Sequence, residues 1–108
     1  MSWVPPATIA PNAKSAVGAA ITTSLANAVS AVTTGVTMWL SNCTICNSSA
    51  DQTALFYIAD GSGNYLINGL AIPPNGCIIL EWPFVELTGC QWKSDTASVL
   101  TATLQGIT

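Results

Sequence analysis

Four groups of residues have types and spacings that could carry chemistry. The first is Cys43-Thr44-Ile45-Cys46, a CxxC pattern, with Cys77 and Cys90 bringing the cysteines to four. A structural zinc site needs four converging soft or imidazole ligands; the second cysteine pair is not a CxxC, and the chain has no histidine to substitute. On a continuous strand, residues three apart point to opposite faces. Cys43 and Cys46 are therefore expected to diverge, which disfavours both a shared metal and a bridge between them, and small buried thiols are the simpler reading. Geometry leaves a Cys77–Cys90 pair open, although folding in a cytoplasm would disfavour any bridge.

The second group, Asp60-Gly61-Ser62-Gly63-Asn64, sets oxygen-bearing side chains at alternate positions, like the start of a calcium loop. The bidentate acid that closes such a loop is missing, because Ala71 stands where it would fall. A hairpin loop explains the same residues. The third group is Glu81 and Glu86, which flank Trp82-Pro83-Phe84. Paired carboxylates are the equipment of glycosidases. With no histidine and no serine or cysteine beside an evident base, the expectation is two exposed acids and no enzyme, and neither cofactor nor metal. The fourth is Trp39, Trp82 and Trp92, which suit either a sandwich core or a surface that stacks sugars; sequence leaves both open.

Composition narrows the classes of function. Only 6% of the 108 residues are charged, against a usual share of about 25%. A lone soluble subunit covers itself with Lys, Glu, Asp and Arg. Here uncharged polar residues must do so, or other protein must cover the surface, and both are expected. Lys14 and Lys93 are the only side-chain cations against five acids. Direct binding to nucleic acid, which needs several basic contacts to phosphate, is therefore not expected. Nor is attraction to an anionic membrane. The uncharged interval from Lys14 to Asp51 is broken by Thr22, Thr23, Ser24, Asn27, Ser30, Thr33 and Thr34, so it offers no membrane span. The start Met-Ser-Trp-Val-Pro-Pro lacks the basic and apolar regions of a signal peptide, and assembly in a cytoplasm is expected.

The elements that must hold these residues centre on Leu55–Trp82. Three apolar runs, Leu55–Ala59, Tyr65–Ile72 and Cys77–Trp82, are separated by Asp60–Asn64 and by Pro73-Pro74-Asn75-Gly76. They read as three strands joined by two successive connections in an antiparallel sheet. Before them, residues 1–13 carry Pro5, Pro6 and Pro11 and form an extended arm. Trp3, Val4 and Ile9 on that arm are candidate contacts, either with the chain's own domain or with a neighbouring subunit. Residues 14–34 fit a helix by spacing but strands by their Thr and Ser content; short strands over 20–25 and 28–32 are the preferred reading. Val36–Asn47 is a strand with mixed faces, Val36, Met38, Leu40, Asn42, Thr44 and Cys46 on one and Thr37, Trp39, Ser41, Cys43 and Ile45 on the other. Pro83 should interrupt pairing or mark an edge. Leu100, Ala102 and Leu104 alternate with Val99, Thr101, Thr103 and Gln105 in a last, solvated strand. The fold expected is all-β: one antiparallel β-sandwich over 14–108, jelly-roll-like, with the Pro-containing arm before it.

From about residue 40 the order of features is familiar. A strand ends in Asn47-Ser48-Ser49, and a Gly-rich hairpin at 60–64 leads into a Tyr65-Leu66 strand. Then come the Pro73–Gly76 turn, a Leu80-Glu81 strand, Leu87-Thr88-Gly89, a strand bearing Trp92, and an alternating strand ending in Gly106. This pattern resembles small β-sandwich virion proteins of tailed bacteriophages, a group of capsid decoration (cement) proteins and tail or neck accessory proteins. Many of those carry Asp after the late glycine, where this chain has Cys90 after Gly89, and the N-terminal third matches less well. The resemblance implies a virion structural protein: a homotrimer or higher oligomer seated on major capsid protein or another virion protein. Trp3, Val4, Ile9, Trp39, Trp82, Phe84 and Trp92 are its candidate interface residues. The alternatives are a tail or head–tail component and a glycan-binding host adhesin.

Overall fold

Alternating inward apolar side chains and frequent turn residues produce, among the described residues, eight strands in two sheets. A computed structural model describes residues 13–108. Trp3, Val4 and Ile9 lie outside the described residues, and Ala13, placed in the arm by sequence, is the first residue of a strand. The strands are β1 (Ala13–Ala20), β2 (Ala26–Asn27), β3 (Thr37–Asn47), β4 (Ala54–Ala59), β5 (Tyr65–Ile72), β6 (Cys77–Thr88), β7 (Gln91–Ser94) and β8 (Leu100–Ile107). No helix forms among the described residues. One sheet has the order β1-β8-β3-β6 and the other β2-β7-β4-β5, with every pairing antiparallel. Each connection except the β4–β5 hairpin crosses from one sheet to the other. That order is a jelly roll, two Greek keys wrapped into a sandwich.

The core lies between the sheets. Met38, Leu40, Cys43, Ile45, Leu100 and Leu104 reach it from the first sheet; Ala54, Phe56, Ile58, Ile72 and Trp92 reach it from the second. Trp92 meets Phe56 edge-on, with ring centroids 6.4 Å apart.

The N-terminal strands differ from the expected ones. β1 ends at Ala20, β2 holds two residues, and 28–32 is not a strand. The apolar residues of that stretch serve instead as a plug: Ile21, Ala28, Val29 and Val32 are buried. Backbone bonds from Ile21 N–H to Leu100, from Ala28 N–H to Cys90 and from Ser94 N–H to the carbonyl of Thr22 pin the irregular chain in place. Helix-like spacing thus came from a non-repeating segment that closes one flank of the sandwich.

The mixed faces of β3 have a single cause. Register slips between Leu40 and Asn42 on both neighbouring strands, so Ser41 is left unpaired as a bulge. An extra residue reverses the alternation beyond it. Met38 and Leu40 point inward before the bulge, and Cys43, Ile45 and Asn47 after it. Opposite Ser41, Trp82, Pro83 and Phe84 bow out of β6 between the pairs Asn42–Glu81 and Leu40–Val85. β6 nevertheless runs on through Pro83 to Thr88, because it is an edge strand and the missing N–H faces no neighbour. The β5–β6 connection also departs from expectation, since the turn at 73–76 carries the chain into the other sheet. β8, read as a solvated outer strand, is an inner strand between β1 and β3, though its threonine face is open.

Asn47, at the inner end of β3, ties three segments together. Its Nδ2 donates to the carbonyls of Gln52 (2.8 Å) and Ile72 (3.0 Å), and its Oδ1 accepts from Ser49 N–H at 2.9 Å. It is 3% exposed, so water cannot replace these partners. Asn47→Ala is expected to lose about 2–3 kcal/mol, the cost of three bonds and of carbonyls left without their donor. Urea unfolding with an unchanged m-value is the check.

The Asp60 loop is the β4–β5 hairpin. Asp60 Oδ1 accepts from the backbone N–H of Ser62 (2.8 Å) and of Asn64 (2.9 Å), and Oδ2 accepts from Asn64 Nδ2 at 3.2 Å. Those bonds, first the Asn64 backbone donor and then its side chain, hold the Asp60 carboxyl below its usual range. A depressed folded-state value stabilises the fold above the unfolded pKa, near 4, and the gain disappears as pH falls through the lower folded value. Asp60→Asn is accordingly expected to lower the Tm at pH 7, with the difference from wild type closing below about pH 4. Thermal melts of both proteins from pH 7 to pH 2 measure this.

Candidate interaction face

The bulge at Ser41 sets which side chains the first sheet turns outward. Across β6, β3 and β8 the outward residues form rows: Ile79, Thr44 and Thr103; Glu81, Asn42 and Gln105; Glu86, Trp39 and Ile107. Neither β3 nor β8 contains a charged residue. The polar groups bond to one another. Asn42 Nδ2 donates to Gln105 Oε1 at 3.2 Å, the Thr37 and Thr88 hydroxyls meet at 3.1 Å, and Gly18 N–H donates to Thr103 Oγ1 at 3.1 Å. The outcome is a surface uncharged across β3 and β8, bordered on β6 by Glu81 and Glu86, whose hydrogen-bonding demand is partly met internally.

Among the described residues, three large apolar side chains of the first sheet are exposed. Val17 is 76% exposed at a bulge of β1, Ile79 66% on β6, and Phe84 52% in the β6 bulge. Phe84 also has a positive φ of 55°. A bulky residue in that region is strained, and such outliers persist only where the surrounding structure imposes them. Two hollows adjoin at Ser41. One, of about 450 Å³, is lined by Ser41, Asn42, Ile79, Glu81 and Trp82. The other, of about 350 Å³, lies toward Lys14, Ser15, Phe84, Gln105 and Ile107.

The sequence-derived candidates separate clearly. Trp39 is half-buried on the outer face, and Phe84 is exposed beside the second hollow. Trp82 is half-buried and packs against the core at the edge of the first sheet. Trp92 is a correction: at 3% exposure it is a core residue and presents nothing to a partner. Val17, Ile79 and Ile107 were missed. In the run Cys77-Ile78-Ile79-Leu80 nothing in residue type marks Ile79 as the outward one, and only register on β3 assigns it.

The cysteines do not converge. Cys43 lies inside and Cys46 outside, as strand geometry required, but Cys46 is bridged to Cys77, directly opposite it on β6. That settles the Cys77–Cys90 pairing the sequence left open, since Cys77 pairs elsewhere, and it corrects the expectation that no bridge forms. Cys90 and Cys43 are buried free thiols, and burial pushes both up to about 12. Among the described residues no three of His, Cys, Asp or Glu are grouped to hold a metal ion. Alkylation should label no cysteine in the native protein, two after unfolding without reductant and four after reduction, with Cys46 and Cys77 as the late pair. Intact mass spectrometry reads the three states.

Glu81 and Glu86 lie on either side of the β6 bulge, opposite Asn42 and Trp39. On the second sheet, Lys93 Nζ sits over the rings of Tyr57 (4.9 Å) and Tyr65 (5.6 Å), so its charge is engaged within the chain. No protein-family model matches the chain, and no curated protein is similar to it.

Proposed function

We propose that the protein is a virion structural subunit, a capsid decoration (cement) protein that oligomerises and bridges neighbouring capsid subunits through the outer face of its first sheet. The observation that carries this reading is that face: uncharged across β3 and β8, with Ile79, Phe84 and Val17 exposed on the same sheet. Burying the β3 and β8 part of that face takes no charge from water and removes apolar area, with Glu81 and Glu86 at its β6 border. A jelly-roll sandwich is compatible with the reading without establishing it, since one fold hosts many functions. Mechanically, each subunit would resist separation of the capsid proteins it spans, and binding to a repeating lattice would gain from multivalency. Quantitative mass spectrometry of purified particles is the test, with many copies per capsid expected. A few copies per particle would favour the tail or head–tail alternative, and absence would overturn the reading.

One observation favours a second reading, a glycan-binding adhesin. The larger hollow brings the Asn42 amide, the Glu81 carboxylate and the Ser41 hydroxyl beside Trp82, a set able to hydrogen-bond and stack a sugar. Glycan-array binding abolished by Glu81→Gln would support it.

A further inference from the structure

The two flanks of the sandwich are closed very differently. On the β1–β2 side the connecting chain fills the gap, with Ile21 at 2%, Val29 at 5% and Val32 at 0% exposure. On the opposite side the edge strands are β6 of the first sheet and β5 of the second, and no segment of the described chain plugs the space between them. Their inward side chains show the consequence. Ile67 and Leu70 pair with Ile58 and Phe56, and Ile78, Leu80 and Leu87 pair with Ile45, Cys43 and Met38. Every one of those partners is fully buried, yet Ile67, Leu70, Ile78, Leu80, Leu87 and the neighbouring Trp82 are only half-buried. A strip of large apolar side chains therefore remains open along one side of the core.

We infer that this flank is a subunit interface, covered by the same flank of a second copy of the chain. The inference rests on the assembly reading above and specifies a second surface, distinct from the outer face of the first sheet. Two features select another copy as occupant. The strip carries no charged side chain, so it calls for an equally uncharged apolar surface, and this chain offers one. A two-fold axis sets such a strip against the same strip of the second copy, apolar against apolar. The area is also adequate. β5 and β6 are 8 and 12 residues long, roughly 26–40 Å at about 3.3 Å per residue, and a two-layer sandwich with its side chains is about 20 Å thick. The flank thus offers roughly 500–800 Å² per subunit, which in a pair reaches the size of stable interfaces. Of the two edges, β5 holds no proline and no charge to deter a neighbour, whereas Pro83 and the Phe84 bulge break the line of β6.

Native mass spectrometry and sedimentation over a range of concentrations test the pairing. The unmodified chain is expected to be a dimer or an even multiple of one. Leu80→Glu and Ile67→Glu should halve that mass, while Thr23→Glu, exposed in the β1–β2 connection on the closed flank, should leave it unchanged; circular dichroism reports whether each variant is folded. Because Leu80 and Ile67 also touch the core, hydrogen exchange of the unmodified chain supplies a second readout, with β5 amides slowing as concentration rises. A monomer at every concentration, a trimer, or folded flank variants of unchanged mass would overturn the pairing. Protection of β5 that ignores concentration and vanishes on deleting residues 1–12 would assign the flank to the chain's own N-terminal segment, and would also overturn it. Particle binding separates this from the assembly reading: a monomer that still loads onto capsids defeats only the pairing, and a dimer absent from particles defeats only the capsid role.

Discussion

Trp92→Ala is expected to destabilise the isolated protein by about 3–5 kcal/mol, the range for truncating a large aromatic in a core. The side chain is 3% exposed, lies on β7 beside the buried Ile58 of β4, and meets Phe56 edge-on. Removing it leaves a cavity between the sheets that flanking β strands cannot collapse to fill. For a domain of this size, each kcal/mol moves the Tm by roughly 4–8 °C, so the variant should melt at least ten degrees lower. An interface tryptophan would act otherwise, weakening association while leaving the subunit's own melting almost unchanged. Differential scanning calorimetry of the purified variant distinguishes the two roles.

Removing the bridge by Cys46→Ser with Cys77→Ser should cost roughly 3–4 kcal/mol. The bond closes a segment with a sequence separation of 31, and the chain-entropy model assigns a loop of that length nearly 4 kcal/mol through the unfolded state. Both sulfurs lie on the outside of the first sheet, so the substitution opens no core cavity and the loss should be mostly entropic. It should also be local in its consequences. β3 and β6 carry both the outer face and, in β6, half of the open flank, and they would part first at the Cys46–Cys77 end. Unfolding with and without reductant, compared with the double variant, checks this: the reductant should shift the wild type to the variant's midpoint and leave the variant where it is.

The elements from β3 to β8 could be read from sequence because their residues alternate and their turns carry Gly, Pro, Asn and Asp. What pairs with what could not. The Cys46–Cys77 bridge depends on the register of β3 against β6, strands separated by two others in the chain. The Ser41 bulge leaves no signature in residue type, so the two halves of β3 were assigned to the wrong common faces. Residues 14–34 misled differently. Their Ala, Thr and Ser content satisfies neither period strongly, and the segment plugs a flank instead of joining a ladder. The same limit applies to the candidate site. Phe84 stood out beside Pro83, but Ile79 lies in a continuous apolar run where inward and outward residues look alike. The open flank was invisible for another reason: it is defined by what does not pack across Leu80 and Leu70, and only the strand order of both sheets reveals that.

Co-sedimentation of the purified chain with capsids is the measurement that decides whether the outer face of the first sheet is a lattice-binding surface. Wild-type protein should saturate the particles at a fixed, large number of copies, and folded Phe84→Glu and Ile79→Glu variants should remain in the supernatant. Wild-type protein that fails to pellet with any capsid, or variants that load as fully as wild type, would contradict it.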